Sequence, residues 1–232
     1  MSTKLPRIDT TWMFDLVSDD PRQRGVALAR NDLANNAYLI AADAYGDVWR
    51  TIWSLRDDGG DVPAHLVARC DQVERALTEA TEGTLNGLAA KFADSVEEDD
   101  HEFLAPYAAI FLTLENRYPD TWEGEAPATP PWGLKKRVLR RFERQGVPDN
   151  CRAMIAEAVM DAAFRLQRRE DHRYPQLARL VDSPALRDDL AEAEETEDVV
   201  VAARAGYLLW TLENPAAPVG TASWRDWLVS GL

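Results

Sequence analysis

Glu97-Glu98-Asp99-Asp100-His101-Glu102-Phe103-Leu104-Ala105-Pro106-Tyr107-Ala108-Ala109-Ile110-Phe111-Leu112-Thr113-Leu114-Glu115-Asn116 carries the cleanest periodic signal in this chain. Phe103, Tyr107, Ile110, Phe111 and Leu114 recur at helical spacing, so they share one side of an α-helix. The four acids ahead of them sit where a helix dipole favours negative charge. Asn116 is placed to cap the C-terminus and Pro119 to stop the helix.

The pattern returns further along. Glu197-Asp198 leads to Thr211-Leu212-Glu213-Asn214 at the offset by which Asp99-Asp100 leads to Thr113-Leu114-Glu115-Asn116. Both intervening bodies are apolar and helix-forming. Gly60-Asp61-Val62-Pro63 and Gly146-Val147-Pro148 each place a helix start just after a glycine. A duplicated unit of this kind implies repeated helical hairpins. The repeated Glu-Asn pairs read as helix-end caps copied with the unit, in preference to two symmetric polar sites.

Working outward, Val26, Leu33, Ala37, Ile40, Ala44, Val48, Ile52 and Leu55 recur at helical spacing from Pro21 to about Arg56, with Tyr38, Tyr45, Trp49 and Trp53 beside them. The expectation is a long helix with a wide buried face, interrupted near Gly46, with Trp49 and Trp53 packed between helices. Trp12, Met13, Phe14, Leu16 and Val17 anchor a strap ahead of it. Leu66, Cys70, Val73 and Leu77 mark a helix from Pro63, and a short one follows over 84–93. Residues 118–133 are proline-rich and aperiodic, which reads as a connector. Beyond it, helices are expected near 134–142, 151–166, 174–181, 184–192 and 199–212, with Trp224, Trp227 and Leu228 in a C-terminal amphipathic tail. No stretch of strand length alternates. The fold class expected is therefore all-α. It is a helical array of about eight to ten helices in two pseudo-repeated helical-hairpin halves, HEAT-like or an irregular bundle. Residues 1–117 and 134–232 are the halves of what reads as one compact domain.

At 232 residues and 46% hydrophobic, the chain can bury a core without staples. Its net charge of −14 opposes nucleic acid and anionic membranes as a whole and attracts basic partners. Cys70 and Cys151 have no CxxC neighbour and read as buried free thiols. No window suits a signal peptide or a membrane span, so the expected setting is cytoplasmic.

Three constellations could carry chemistry. Lys135, Lys136, Arg137, Arg140, Arg141 and Arg144 form a basic helix, against the single acid Glu143. It reads as a docking site for a partner or for nucleic acid, or as a helix neutralised by the Glu97–Glu102 or Asp188–Asp198 runs, and the second reading is favoured. Trp224 and Trp227 are candidate partner anchors. Glu98 and His101 have Glu-x-x-His spacing, but a di-iron site needs a second copy that the chain lacks; His101 is expected at the surface of a first helical turn.

Glu79-x-x-Glu82 followed by Glu97-x-x-Asp100 resembles the carboxylate spacing of the MazG-like all-α nucleotide pyrophosphohydrolases. That resemblance implies that Glu79, Glu82, Glu97 and Asp100 would hold Mg²⁺ against a nucleotide triphosphate. Glu82 adjoins Gly83 and Glu97 precedes the helix core, which departs from the family pattern. Phosphate-cradling loops, nucleophile elbows, zinc spacings and dinucleotide fingerprints are absent. The reading favoured is a small bacterial non-enzymatic protein–protein interaction protein without a cofactor that binds a basic partner, an immunity or inhibitor protein being one concrete version. The alternatives are the Mg-dependent hydrolase and a regulator touching nucleic acid through residues 134–145.

Overall fold

The structure, a computed structural model, describes residues 9–123, 131–166 and 169–230. These residues form eleven α-helices and three short 3-10 turns, and no strand occurs among them. The all-α expectation holds, with more helices than the eight to ten expected. The chain divides into two compact units, residues 1–88 and 89–232. The connector read at 118–133 lies within the second unit; its central residues 124–130 fall outside the described residues.

In the first unit, a 3-10 turn at Thr11–Val17 buries Trp12, Met13 and Leu16 and packs on α1 (Pro21–Asp57). Asp20 caps α1, its carboxylate accepting from the Arg22 N–H at 2.8 Å. The helix runs unbroken through Gly46, correcting the expected interruption. It ends in a Schellman motif: the Gly60 N–H reaches back to the Leu55 carbonyl at 2.9 Å and the Gly59 N–H to that of Arg56 at 3.0 Å. Gly59 takes the left-handed φ of +73° that this ending requires. The turn sends α2 (Ala64–Glu82) back along α1.

A second correction concerns the faces of α1. Only Ala27 and Ile52 are fully buried on this 37-residue helix. Val26, Leu33 and Ile40 are 60%, 70% and 72% exposed, and Trp53 is exposed as well. A helix of 37 residues is about 55 Å long, whereas the 19-residue α2 covers about half of that. The apolar stripe read as core therefore includes a row that no described element covers.

The second unit begins within α3 (Leu85–Asp94). Its core is built around α4 (Glu98–Arg117), in which Leu104, Ala105 and every residue from Tyr107 to Asn116 are buried. Pro106 sits inside this helix and cannot donate to the Glu102 carbonyl one turn back. The Asn150 side-chain amide donates to that carbonyl instead, at 2.9 Å, so the orphaned acceptor is satisfied from another segment. Next come α5 (Pro119–Glu123), α6 (Pro131–Gln145), α7 (Arg152–Phe164), α8 (Tyr174–Leu180), α9 (Pro184–Glu194), α10 (Val199–Glu213) and α11 (Thr221–Ser230). α4 packs on α7, while α10 packs on α9, α8 and α7.

The two Thr-Leu-Glu-Asn segments both close helices, but their roles differ. Thr113 and Thr211 are buried alike. Glu115 is buried where Glu213 is exposed. Asn116 lies inside α4, with Tyr118 as the cap, whereas Asn214 is the cap of α10. At the front, Asp198 caps α10 by accepting from Val200 and Val201, while Asp99 and Asp100 lie inside α4's first turn.

Candidate functional site

Glu115 and Asn116 are not end caps but members of a buried charge cluster. Five segments of the second unit meet there: the end of α4, Lys135 of α6, Arg165 just after α7, Asp171 in a 3-10 turn, and Tyr174 of α8. Lys135 Nζ lies 3.0 Å from Glu115 Oε2 and 2.8 Å from Asp171 Oδ1. Arg165 donates to Glu115 at 3.0 Å, to both Asp171 oxygens at 2.7 and 2.9 Å, and to Asn116 Oδ1 at 2.8 and 2.9 Å. The Tyr174 hydroxyl also donates to Asn116 Oδ1, at 3.2 Å, and the Asn116 amide donates to the Ala158 carbonyl at 2.8 Å. The Tyr174 and Trp132 rings flank the Lys135 ammonium at 5.4 and 5.6 Å.

Two carboxylates face two cations here, so the cluster is balanced. Burial pushes the Asp171 carboxyl up, but the Arg165 hydrogen bonds and the Lys135 and Arg165 charges outweigh it and hold it below the usual carboxylate range. Burial drives the Tyr174 phenol far above its ordinary value, and the Glu115 charge adds to this. A base with a depressed pKa and a phenol with a raised one are poorly tuned for proton transfer near neutrality. The geometry is that of a brace.

Next to this brace lies a cavity of about 260 Å³ walled by α7, α8, α10 and α11. Asp171 and Tyr174 touch it from the cluster side, and Arg204, Tyr207, Trp224 and Arg225 line it from α10 and α11. Arg204 donates to the Arg165 carbonyl. The Tyr207 ring meets Trp224 edge-on at 5.0 Å, and Trp224 stacks on Trp227 at 5.7 Å. Gly206 makes room for this, because a side chain there would press on Trp227 and Glu194. Trp224 and Trp227, read as partner anchors, are half-buried in seating α11 on α10.

Comparison with protein-family models, with curated proteins and with solved structures finds no match.

The basic helix α6 splits by face. Lys135 is wholly buried in the cluster, and Arg141 is buried too. Arg137 pairs with Asp94. Lys136 is half-buried, whereas Arg140 and Arg144 are exposed. Part of the charge is thus neutralised internally, but by Asp94, Glu115 and Asp171 instead of the acidic runs expected. Glu115 could have been suspected, since it follows Phe111 by four residues on the apolar side of α4. Arg165 and Asp171 gave no local signal.

The four carboxylates of the magnesium reading fall differently. Glu79 is exposed on α2 and Glu82 half-buried at its end, Glu97 is the extended residue before α4, and Asp100 is buried, accepting from the Ser95 hydroxyl at 2.8 Å. Among the described residues, no three of His, Cys, Asp or Glu gather in a group that could hold a metal ion. His101, expected at the surface, is buried. It stacks on Phe92 at 5.1 Å and its Nε2 reaches the Gly146 carbonyl at 3.2 Å, because the first turn of α4 packs inward. No helix among the described residues is long and apolar enough to cross a membrane.

Proposed function

We propose that this chain is a non-enzymatic helical interaction protein that docks a basic partner along the solvent face of the first half of α1. The observation that carries the reading is the row Val26, Leu33 and Ile40, each more than half exposed and each seven residues from the next. Seven-residue spacing of branched apolar side chains is what a partnering helix needs for knobs-into-holes packing. Full burial of each such side chain is worth about 1.5 to 3 kcal/mol, so leaving three in water forgoes an appreciable association energy. An exposed apolar row of this kind supports an interaction surface.

Charge chooses the partner. Exposed Arg22, Arg30 and Asp43 border the row, so its local charge is mixed, while the chain as a whole carries −14. A second copy would bring like net charge, whereas a basic partner gains electrostatic steering from the chain as a whole. An immunity-type protein that neutralises a basic toxin domain is one concrete form. The balanced cluster and the ungathered carboxylates give the catalytic alternative no comparable support.

Affinity capture from the native host tests this, with the wild-type chain and a Leu33→Glu, Ile40→Glu chain as paired baits. A basic protein enriched at least tenfold on the wild-type bait alone supports the reading. Equal recovery on both baits, or recovery only of this chain itself, overturns it.

A further inference from the structure

We propose that the cavity walled by α7, α8, α10 and α11 binds a small ring-bearing anion, its carboxylate or phosphate held by Arg204 and Arg225 and its ring set against Trp224 and Tyr207. This site is separate from the α1 surface and does not depend on the function proposed for it.

The charge balance at the cavity is the first support. Asp171, the only carboxylate among the described residues of its wall, is already matched within the Glu115, Asp171, Lys135 and Arg165 quartet. Arg204 and Arg225 are additional, and neither forms an ion pair with another described residue; Arg204 gives its Nη1 to the Ala163 and Arg165 carbonyls, which leaves Nε and Nη2 for a ligand. In a chain carrying −14, two guanidinium groups left without carboxylates on one concave wall are conspicuous. Guanidinium forks suit carboxylate and phosphate oxygens. Gly220 and Thr221, at the start of the ten-residue α11, also line the cavity, and the positive end of that helix dipole adds the same sign.

Shape is the second support. The Tyr207 and Trp224 rings supply apolar faces beside the two cations, the combination of apolar wall and few placed polar groups found in small-molecule sites. The volume of about 260 Å³ lies just below the usual range for drug-sized ligands, which limits the occupant to roughly one ring and its anionic group.

Isothermal titration of the full chain tests the proposal with three probes: 3-phenylpropanoate, phenyl phosphate and uncharged 3-phenylpropan-1-ol. At least one anion should bind at least tenfold more tightly than the alcohol, and the tighter of the two identifies the head group. Arg225→Ala should weaken that anion at least tenfold. Arg225 is exposed, so this variant keeps its fold, which circular dichroism verifies. The proposal is overturned if neither anion binds at about 5 mM, if the alcohol binds equally well, or if Arg225→Ala binds the anion as the wild type does.

Discussion

Lys135 Nζ and Glu115 Oε2 stand 3.0 Å apart with both side chains wholly out of water. An ion pair so placed contributes little net stability by existing, because both charges were stripped of solvent to form it. Breaking it is another matter. Lys135→Ala leaves Glu115 buried beside a single remaining cation, and we expect a loss of about 3 to 5 kcal/mol. Arg140→Ala, on the exposed face of the same helix, should stay within about 0.5 kcal/mol of wild type. Urea denaturation of the two variants measures both; equal losses would mean that the cluster does not brace the second unit.

The two faces of α1 offer a similar contrast. Ile52 is buried, so Ile52→Ala should cost about 2 to 5 kcal/mol. Leu33→Glu with Ile40→Glu should leave folding stability nearly unchanged, since both positions already face water. Thermal melts of both chains settle the point. A large loss in the double variant would place those side chains in a core.

His101 gives the chain a pH dependence near neutrality. Burial lowers its pKa, the Arg141 charge lowers it further, and the Gly146 carbonyl and Glu98 only partly offset this, so the folded value lies below the ordinary 6.5. The neutral ring is the form the fold prefers. Its contribution is fully present above about pH 6.5 and is lost as pH falls through the lowered folded value. Stability measured from about pH 7 to 5 should decline in the wild type and decline less in His101→Phe. Parallel slopes in the two proteins would contradict this assignment.

Cys151 should be chemically silent in the native state. Burial pushes its thiol up to about 12, with the Arg152 charge offsetting only part of the rise, and a thiol without thiolate is a poor nucleophile. Ellman's reagent at about pH 8 should leave Cys151 unmodified until denaturant is added, when both free cysteines react. Rapid native labelling of Cys151, identified by peptide mapping, would be incompatible with its placement.

Much of the architecture was legible, and the reason is local. The Phe103 to Leu114 stripe, the proline starts at Pro21 and Pro184 and the apolar run of α10 each declare a helix within one or two turns of chain. What was not legible depends on neighbours. Periodicity shows that Val26, Leu33 and Ile40 share a row, but not whether another element covers it; α2 is too short to flank all of α1. The buried cluster joins Glu115 to Lys135 and Arg165, twenty and fifty residues away, and only the folded chain brings them together. His101 was misplaced for the same reason, since an acidic first turn looks solvated until Phe92 and Phe142 close over it.

Photo-crosslinking in the native host tests the proposed docking surface most directly. Benzoylphenylalanine is placed at Ile40 in one chain and at the exposed Asp71 of α2 in another. The docking account predicts a covalent adduct with a basic protein from position 40 and none from position 71. Adducts of equal yield from both positions, or a position-40 adduct at twice the 26.0 kDa of this chain, would contradict it.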